Sequence, residues 1–92
     1  MSLQFEWDDD KATANEEKHA VKFEEAATVF GDRLSLTIAD PLHSEGEERY
    51  ITMGMSTTRR VLVVVHLEDD DRIRIISARE ATSAERKAYE EG

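Results

Sequence analysis

The apolar run at residues 61–65, Val-Leu-Val-Val-Val, constrains the fold more than any other stretch of this chain. Successive side chains of a β-strand point to opposite faces of a sheet, so this run would present apolar surface on both faces. It is far too short to cross a bilayer. We therefore predict that residues 60–67 form a central strand, with protein covering both of its faces.

The segments before and after this run alternate with the two-residue period that is typical of β-strands. Further strands are predicted at residues 34–39, 49–55 and 72–79. Leu34, Leu36 and Ile38 share one face of the first of them, which predicts that this face is dry. A polar loop at residues 40–48 follows that strand, and an acidic turn at residues 68–71 leads into the last one.

Three segments carry helix signals. Asp8 is a suitable N-cap for a helix at Asp9–His19, and apolar residues at helical spacing predict a second helix at residues 23–30. Thr82 and Glu85 match a capping box, so a final helix should begin at Ser83. The first helix should carry one polar stripe, formed by Lys11, Asn15, Lys18 and Lys22.

The order of these elements predicts an α+β fold in one domain over residues 1–92. Four strands between Leu34 and Arg79 follow one another with short connections, so we expect an antiparallel four-stranded sheet. Two N-terminal helices and a C-terminal helix would accompany it. Leu3, Phe5 and Trp7 alternate with polar residues, which makes residues 3–7 a candidate fifth strand.

The charge balance of the chain bears on its partners. Twenty-one acidic residues stand against 12 lysines and arginines, which gives a net charge of −9. A domain of this charge is repelled by nucleic acid at long range and would associate more readily with a basic protein. The chain has no cysteine and no signal-peptide pattern in its first residues, so we predict a cytoplasmic protein without a membrane segment.

Residues that could carry chemistry are few. The histidines are His19, His43 and His66, and they lack the spacing of a metal site, so we predict neither a metal nor a cofactor. Two of them have a simple structural interpretation as well. His19 lies at a helix end, where the dipole favours a cation, and His66 would be half-buried at the end of the central strand. Tyr89 would pack on the sheet.

Two arginines on the last strand invite a functional interpretation. Alternation places Arg74 on the surface opposite Ile73 and Ile75, and it places Arg79 nominally on the side of Ile73, where the strand should end. One interpretation is that Arg79 covers apolar surface with its stem. The other is that the two arginines present their guanidinium groups to an anion such as phosphate.

Several motifs in fixed order extend this second interpretation. They are Phe5-Glu6-Trp7-Asp8, Lys18-His19, the segment Ile-Arg-Ile-Ile-Ser-Ala-Arg at residues 73–79, Glu85-Arg86 and Tyr89. In this combination, from Leu3 to Tyr89, the chain resembles the BrnT family. That resemblance implies a bacterial ribonuclease toxin of a type II toxin–antitoxin system with a RelE-like fold. It also implies a BrnA-like antitoxin, a small DNA-binding protein through which DNA is contacted only indirectly.

The resemblance also implies a site. Residues matching the family's motifs are His19, His66, Arg74 and Arg79 as catalytic groups, with Lys18 and Tyr89 in substrate binding. Cleavage of RNA without a metal needs a base for the 2′-OH, an acid for the leaving oxygen and cations for the phosphorane. Histidine suits the proton transfers near pH 7, and arginine suits the phosphate.

Other features of the chain leave an alternative open. The turn at residues 68–71, Glu-Asp-Asp-Asp, and the net charge of −9 would both repel RNA. The alternative is a non-catalytic relative that keeps the fold and the antitoxin-binding surface and acts as a co-repressor or an orphan module. A small structural domain of unrelated role is a third, more remote class.

Overall fold

The computed structural model describes residues 2–41 and 48–92 and shows an α+β fold with a five-stranded sheet. In chain order, the elements are β1 (Gln4–Glu6), α1 (Asp9–His19), α2 (Phe23–Thr28), a 3₁₀ turn (Val29–Gly31), β2 (Leu36–Ala39), β3 (Arg49–Met55), β4 (Val61–Asp69), β5 (Arg72–Glu80) and α3 (Ser83–Glu91). The predicted polar loop falls largely on residues 42–47, which lie outside the described residues together with His43. Within the described part, no helix is long and apolar enough to span a membrane.

The sheet has the strand order β1-β5-β4-β3-β2, so β4 is the central strand, as predicted. Strands β2 to β5 form the predicted antiparallel meander. The prediction of an antiparallel sheet is nevertheless wrong for the whole, because β1 pairs in parallel with β5, with Phe5 opposite Ile73. A parallel pair requires a long connection between its strands, and here all the other strands and two helices lie between them in sequence. The sheet is therefore mixed.

One face of the sheet carries the hydrophobic core. Helices α1 and α2 pack on this face, and the buried core cluster consists of Val21, Phe23, Ala26, Val29, Leu62, Val64, Ile73, Ile75 and Ala78. The N-cap interaction of α1 is present, since Asp8 accepts a hydrogen bond from the Lys11 backbone N–H at 3.1 Å. The second helix ends two residues earlier than predicted and continues as the 3₁₀ turn. The capping box of Thr82 and Glu85 opens α3, as predicted.

The opposite face, which we call the open face, is less covered than the sequence indicates. Val61 and Val63 lie on this face and are nevertheless buried, so the first part of β4 is covered on both faces, as predicted, and the exposed apolar surface belongs to β2. The face of β2 that was predicted to be dry is exposed: Leu34, Leu36 and Ile38 are 73%, 46% and 60% accessible. None of the described residues covers these three side chains. Alternation identified the apolar face correctly, but it carries no information about what packs against it.

A β-bulge in β5 also changes the predicted faces. The register shifts between Val65, which pairs with Ser77, and His66, which pairs with Ile75. An extra residue reverses the alternation that follows it. Ile75 and Ala78 consequently both join the core, and Arg79 points to the open face rather than to the side of Ile73, where the sequence placed it.

Candidate functional site

Arg79 lies near the end of β5 on the open face, where its guanidinium fork is occupied. Its Nη1 and Nη2 atoms donate to the two carboxylate oxygens of Glu85 at 2.8 and 2.9 Å. The hydrogen bonds from Arg79 are the main cause that lowers the pKa of Glu85 to about 2. Glu85 also accepts from the Thr82 backbone N–H, so α3 fixes its position. Strand β5 thus positions Arg79, and the capping box of α3 positions its partner Glu85.

Arg74 lies on the same face at the other end of β5. Its Nη1 atom is 3.6 Å from the Glu6 carboxylate on β1, and both side chains are nearly half exposed. Four residues of β5, including the bulge, lie between Arg74 and Arg79, so the two arginines are roughly 15 Å apart at ~3.3 Å per residue along a strand that the bulge shortens. The two arginines therefore share a face, but they are too far apart to bind the same phosphate.

His66 is fully buried on the helix side of β4. Its Nε2 atom is 2.7 Å from the Thr52 hydroxyl, which in turn is 2.7 Å from the Thr37 hydroxyl. Phe30 meets the imidazole ring edge-on, with ring centroids 4.8 Å apart. Burial lowers the pKa of His66 to about 4, and a backbone group of Leu67 opposes this only in part. The ring is thus neutral near pH 7, and its Nδ1 atom has no hydrogen-bond partner among the described residues.

Lys18 and His19 form the last turn of α1, where the helix dipole favours positive charge. Lys18 is exposed and His19 is half-buried. The helix ends at Ala20, which has the left-handed backbone conformation (φ 58°). The Ala20 carbonyl accepts a hydrogen bond from Nη2 of Arg60 at 3.1 Å, so this end of α1 lies beside the start of β4.

Tyr89 is a buried residue of α3, and its hydroxyl donates a short hydrogen bond to Oδ2 of Asp32. That bond raises the pKa of the phenol to about 12. The same Asp32 oxygen accepts from the Met55 backbone N–H at 2.8 Å. Tyr89 thus ties the C-terminal helix to the start of the meander, and its hydroxyl proton is already engaged.

The six predicted site residues do not form one cluster. Arg79 and Arg74 lie on the open face, whereas His66 lies on the covered face between β3 and the 3₁₀ turn. Lys18 and His19 lie at the end of α1, and Tyr89 lies on the buried side of α3. No group of acidic or histidine side chains in the described ranges could hold a metal ion.

A groove on the open face is the concave feature nearest to Arg79. It encloses about 300 Å³, and its walls are Leu36, Ile38, Ile51, Met53 and Val63, with Arg79 and Glu85 at one end. Apolar walls with a few convergent polar groups are typical of binding sites. The sequence alone does not reveal this groove, because alternation assigns its wall residues to a dry interface.

A second cluster is also absent from the sequence-based prediction. Glu25 accepts hydrogen bonds from Nε of Arg60 at 3.0 Å and from the Ser56 hydroxyl at 2.8 Å, with Thr58 as a further donor. The bonds from Arg60 are the largest cause that lowers the Glu25 pKa to about 2. Arg60 also lies 3.7 Å from Glu80 on β5. These side chains satisfy one another, so the cluster holds α2 to the turn before β4 rather than forming an open site.

Comparison with known proteins adds an independent finding. Residues 7–85 match a family model described as the ribonuclease toxin BrnT of a type II toxin–antitoxin system. Among solved structures, the chain is similar to the 1.1 Å crystal structure of the Brucella abortus ribonuclease toxin BrnT, with a TM-score of 0.67 and 16% sequence identity. The match covers 89% of this chain and 100% of that one. A search of curated proteins finds no match.

Proposed function

The chain belongs to the BrnT family of toxins of type II toxin–antitoxin systems, and from this premise we propose that it is an endoribonuclease that cleaves RNA without a metal. The observation that carries the proposal is the match of the family model over residues 7–85. We further propose that its fold is RelE-like, that it acts in the bacterial cytoplasm, and that residues 1–92 form a single toxin domain. A BrnA-like antitoxin, itself the DNA-binding partner, would neutralise it.

Arg79 is the phosphate contact in this proposal. The two parallel hydrogen bonds to Glu85 support the assignment, because the same fork geometry binds two oxygens of a phosphate. The substrate phosphate would take over these N–H groups from Glu85. Arg74, roughly 15 Å away along the strand, would contact a different phosphate of the same RNA.

The histidines would carry the proton transfers. His19 is half-buried at the end of α1 and can meet a ligand in the present conformation. His66 would have to become accessible before it could act, because its ring is enclosed and bonded to Thr52. Lys18 would supply an auxiliary positive charge at the end of α1. Tyr89 would contact the substrate only after releasing Asp32.

Substitution of Arg79 tests the assignment. Arg79→Ala should lower RNA cleavage by roughly a hundredfold or more, because one lost contact to a charged transition state costs several kcal/mol. The melting temperature should change little, since the ion pair with Glu85 is partly exposed and such pairs contribute about 0–1 kcal/mol. Arg86→Ala is the matched control, because Arg86 lies on α3 and pairs with Glu80 instead.

The decisive result concerns the wild-type protein. Purified free of antitoxin and folded by circular dichroism, it should degrade total RNA in the presence of a chelator and slow growth when induced. A folded protein that does neither would refute the ribonuclease proposal. In the Arg79→Ala variant, reduced stability with activity retained in the folded fraction would assign a structural role to that arginine.

One set of observations favours a second candidate, a non-catalytic relative that binds the antitoxin and acts as a co-repressor or an orphan module. Glu85 occupies the Arg79 fork, His66 is buried, and the chain carries a net charge of −9. Such a protein would bind the antitoxin with full affinity while failing the RNA and growth assays. The same purified samples therefore distinguish the two candidates.

A further inference from the structure

The open face is an exposed aliphatic surface on a highly charged protein. Its groove is walled by side chains from β2, β3 and β4, and Leu36 and Ile38 remain about half accessible. Strand β2 itself, Leu36–Ala39, contains no charged residue, and within residues 2–41 and 48–92 it pairs on one side only, with β3. Exposed apolar surface beside an unprotected sheet edge is typical of a protein interface.

The charges around this surface differ from those of the chain as a whole. The pairing register places Arg49 and Arg74 on either side of Leu67, and it places Arg72 opposite Asp69 on the same face. With Arg79, four of the chain's 12 lysines and arginines lie there. Among the described residues, the carboxylates on that face by register or by lining its concavities are Glu6, Glu68, Asp69 and Glu85. The described part of the open face therefore carries no net charge, although the chain as a whole is at −9.

Two of these arginines show what the surface would accept. Arg79 already binds a carboxylate in a bidentate arrangement, so the fork is oriented for one. Arg49 has a buried Nε atom with no hydrogen-bond partner among residues 2–41 and 48–92. A buried donor without a partner is costly, and a carboxylate from a docked segment would satisfy it. Ile51, Met53 and Val63 form an aliphatic strip on the open face, and Arg49 and Arg79 lie at its opposite ends.

The chemistry of the strip favours a protein segment over RNA as the occupant. Proteins that bind single-stranded RNA stack its bases on aromatic rings. The aromatic residues of this chain point elsewhere: Phe5 and His66 contact Phe30, Trp7 contacts Phe23, Tyr50 stacks on His66, and Tyr89 bonds Asp32. Aliphatic walls instead suit aliphatic side chains from a partner.

We propose that the open face is the docking surface for the antitoxin, and that the docked segment is amphipathic and acidic. Its apolar side chains would fill the groove over Leu36 and Ile38, and its carboxylates would meet Arg49 and Arg79. The inference rests on the proposed function. The net charge of −9 led us to expect a basic partner, and for this segment of the antitoxin we infer the opposite charge. The DNA-binding part of the same antitoxin would still be basic, because DNA is anionic.

A matched pair of substitutions tests the apolar contact. Leu36 and Leu3 are equally exposed, at 46%, but Leu3 precedes β1 and lines a different groove beside Phe5. The protein is co-expressed with the small DNA-binding protein encoded beside it, and the complex is isolated on a sizing column. Leu36→Glu should raise the dissociation constant at least tenfold, and Leu3→Glu should leave it unchanged. Ile38→Ala, with its melting temperature recorded, serves if Leu36→Glu does not fold.

Charge reversal tests the acidic nature of the segment. Arg49→Glu should weaken the complex at least tenfold at low salt, with a smaller effect at high salt. Lys11→Glu, which changes the charge equally on α1, should leave binding as in the wild type. Tighter binding by Arg49→Glu would mean that the docked segment is basic and would overturn the proposal.

Several other outcomes would contradict the inference, and they show whether the proposed function fails with it. If wild type and Leu36→Glu bind the neighbouring protein equally, the antitoxin docks elsewhere and only this inference fails. If wild type does not bind it at all, the partner in the proposed function fails as well. A wild-type dimer in light scattering that Leu36→Glu splits would assign the face to a second copy. If Leu36→Glu loses binding to a 2′-O-methyl RNA oligonucleotide but still binds the neighbouring protein, the open face is assigned to RNA.

Discussion

Asn15 offers the sharpest test of how this fold is held together. Although it lies among exposed lysines on α1, its side chain is buried, since only 7% of the residue remains accessible. Its Nδ2 atom donates to the carbonyls of Val21 at 3.0 Å and Ala78 at 2.9 Å, and its Oδ1 atom accepts from the Ala78 backbone N–H at 3.0 Å. One amide thus joins α1, the segment that precedes α2 and the bulged part of β5.

Replacing Asn15 with alanine would remove three hydrogen bonds and leave buried backbone groups without partners. Each bond contributes about 1 kcal/mol net, and a buried group left unsatisfied costs about 1–3 kcal/mol. Val21 and Ala78 are inaccessible to water, so hydration cannot replace the lost bonds in full. We therefore expect a loss of about 3 kcal/mol in unfolding free energy. For a domain of this size, that corresponds to a fall of roughly 12–24 °C in melting temperature.

Urea unfolding followed by Trp7 fluorescence measures this loss, because Trp7 is the only tryptophan and packs edge-on against Phe23, 5.9 Å between ring centroids. Thr13→Ala is the control, since Thr13 is exposed on the same helix. Asn15→Asp retains the acceptor but loses both donated bonds, so it should be at least as destabilising as alanine. A loss below about 1 kcal/mol for Asn15→Ala, at an unchanged denaturant slope, would refute the assignment.

Three further predictions follow from titratable groups. Burial lowers the pKa of His66 from 6.5 to about 4, so between these pH values the unfolded chain binds a proton that the folded chain does not. The free energy of unfolding should therefore fall by up to about 3 kcal/mol as the pH decreases from 6.5 to 4. In His66→Phe, the midpoint of urea unfolding should lose this pH dependence. The pKa of Glu25 is lowered from 4.5 to about 2, so its contribution to the free energy of unfolding is full above pH 4.5 and is lost as the pH falls towards 2. Glu25→Gln should therefore lower the unfolding free energy by about 2 kcal/mol at pH 7 and by little at pH 2.5. Glu24→Gln, at the exposed neighbouring residue, should lower it by little at either pH. The Tyr89 phenol should titrate near pH 12 by ultraviolet absorbance, and this step should disappear in Tyr89→Phe.

The parts of the fold that were predictable are those governed by local chemistry. The N-cap at Asp8, the capping box at Thr82 and the doubly apolar run of β4 each act over a few residues, so the sequence alone locates them. The parallel pairing of β1 was not predictable in this way. It depends on which sheet edge remains free after the whole meander has formed, and no local pattern records that.

The candidate site was harder to predict than the fold for two physical reasons. A single extra residue in β5 reverses the side on which Arg79 lies, and alternating residues give no sign of where a bulge will form. Asn15 was assigned to a polar stripe because its neighbours at helical spacing are lysines. Its burial depends on the carbonyls of Val21 and Ala78, one of them 63 residues away in sequence.

The position of Arg79 would link the proposed RNA cleavage and the proposed antitoxin docking in one mechanism of neutralisation. The guanidinium fork has one carboxylate in it already, so any ligand that uses both Nη atoms must displace Glu85. An RNA phosphate and a carboxylate of an acidic antitoxin segment would both have to do so, and they would therefore exclude each other. Neutralisation would then need no conformational change in the toxin. Glu85→Gln tests this directly, because glutamine keeps the capping box but pairs more weakly with arginine. The substitution should strengthen binding of RNA and of the antitoxin together, whereas an effect on one ligand alone would show that they do not share Arg79.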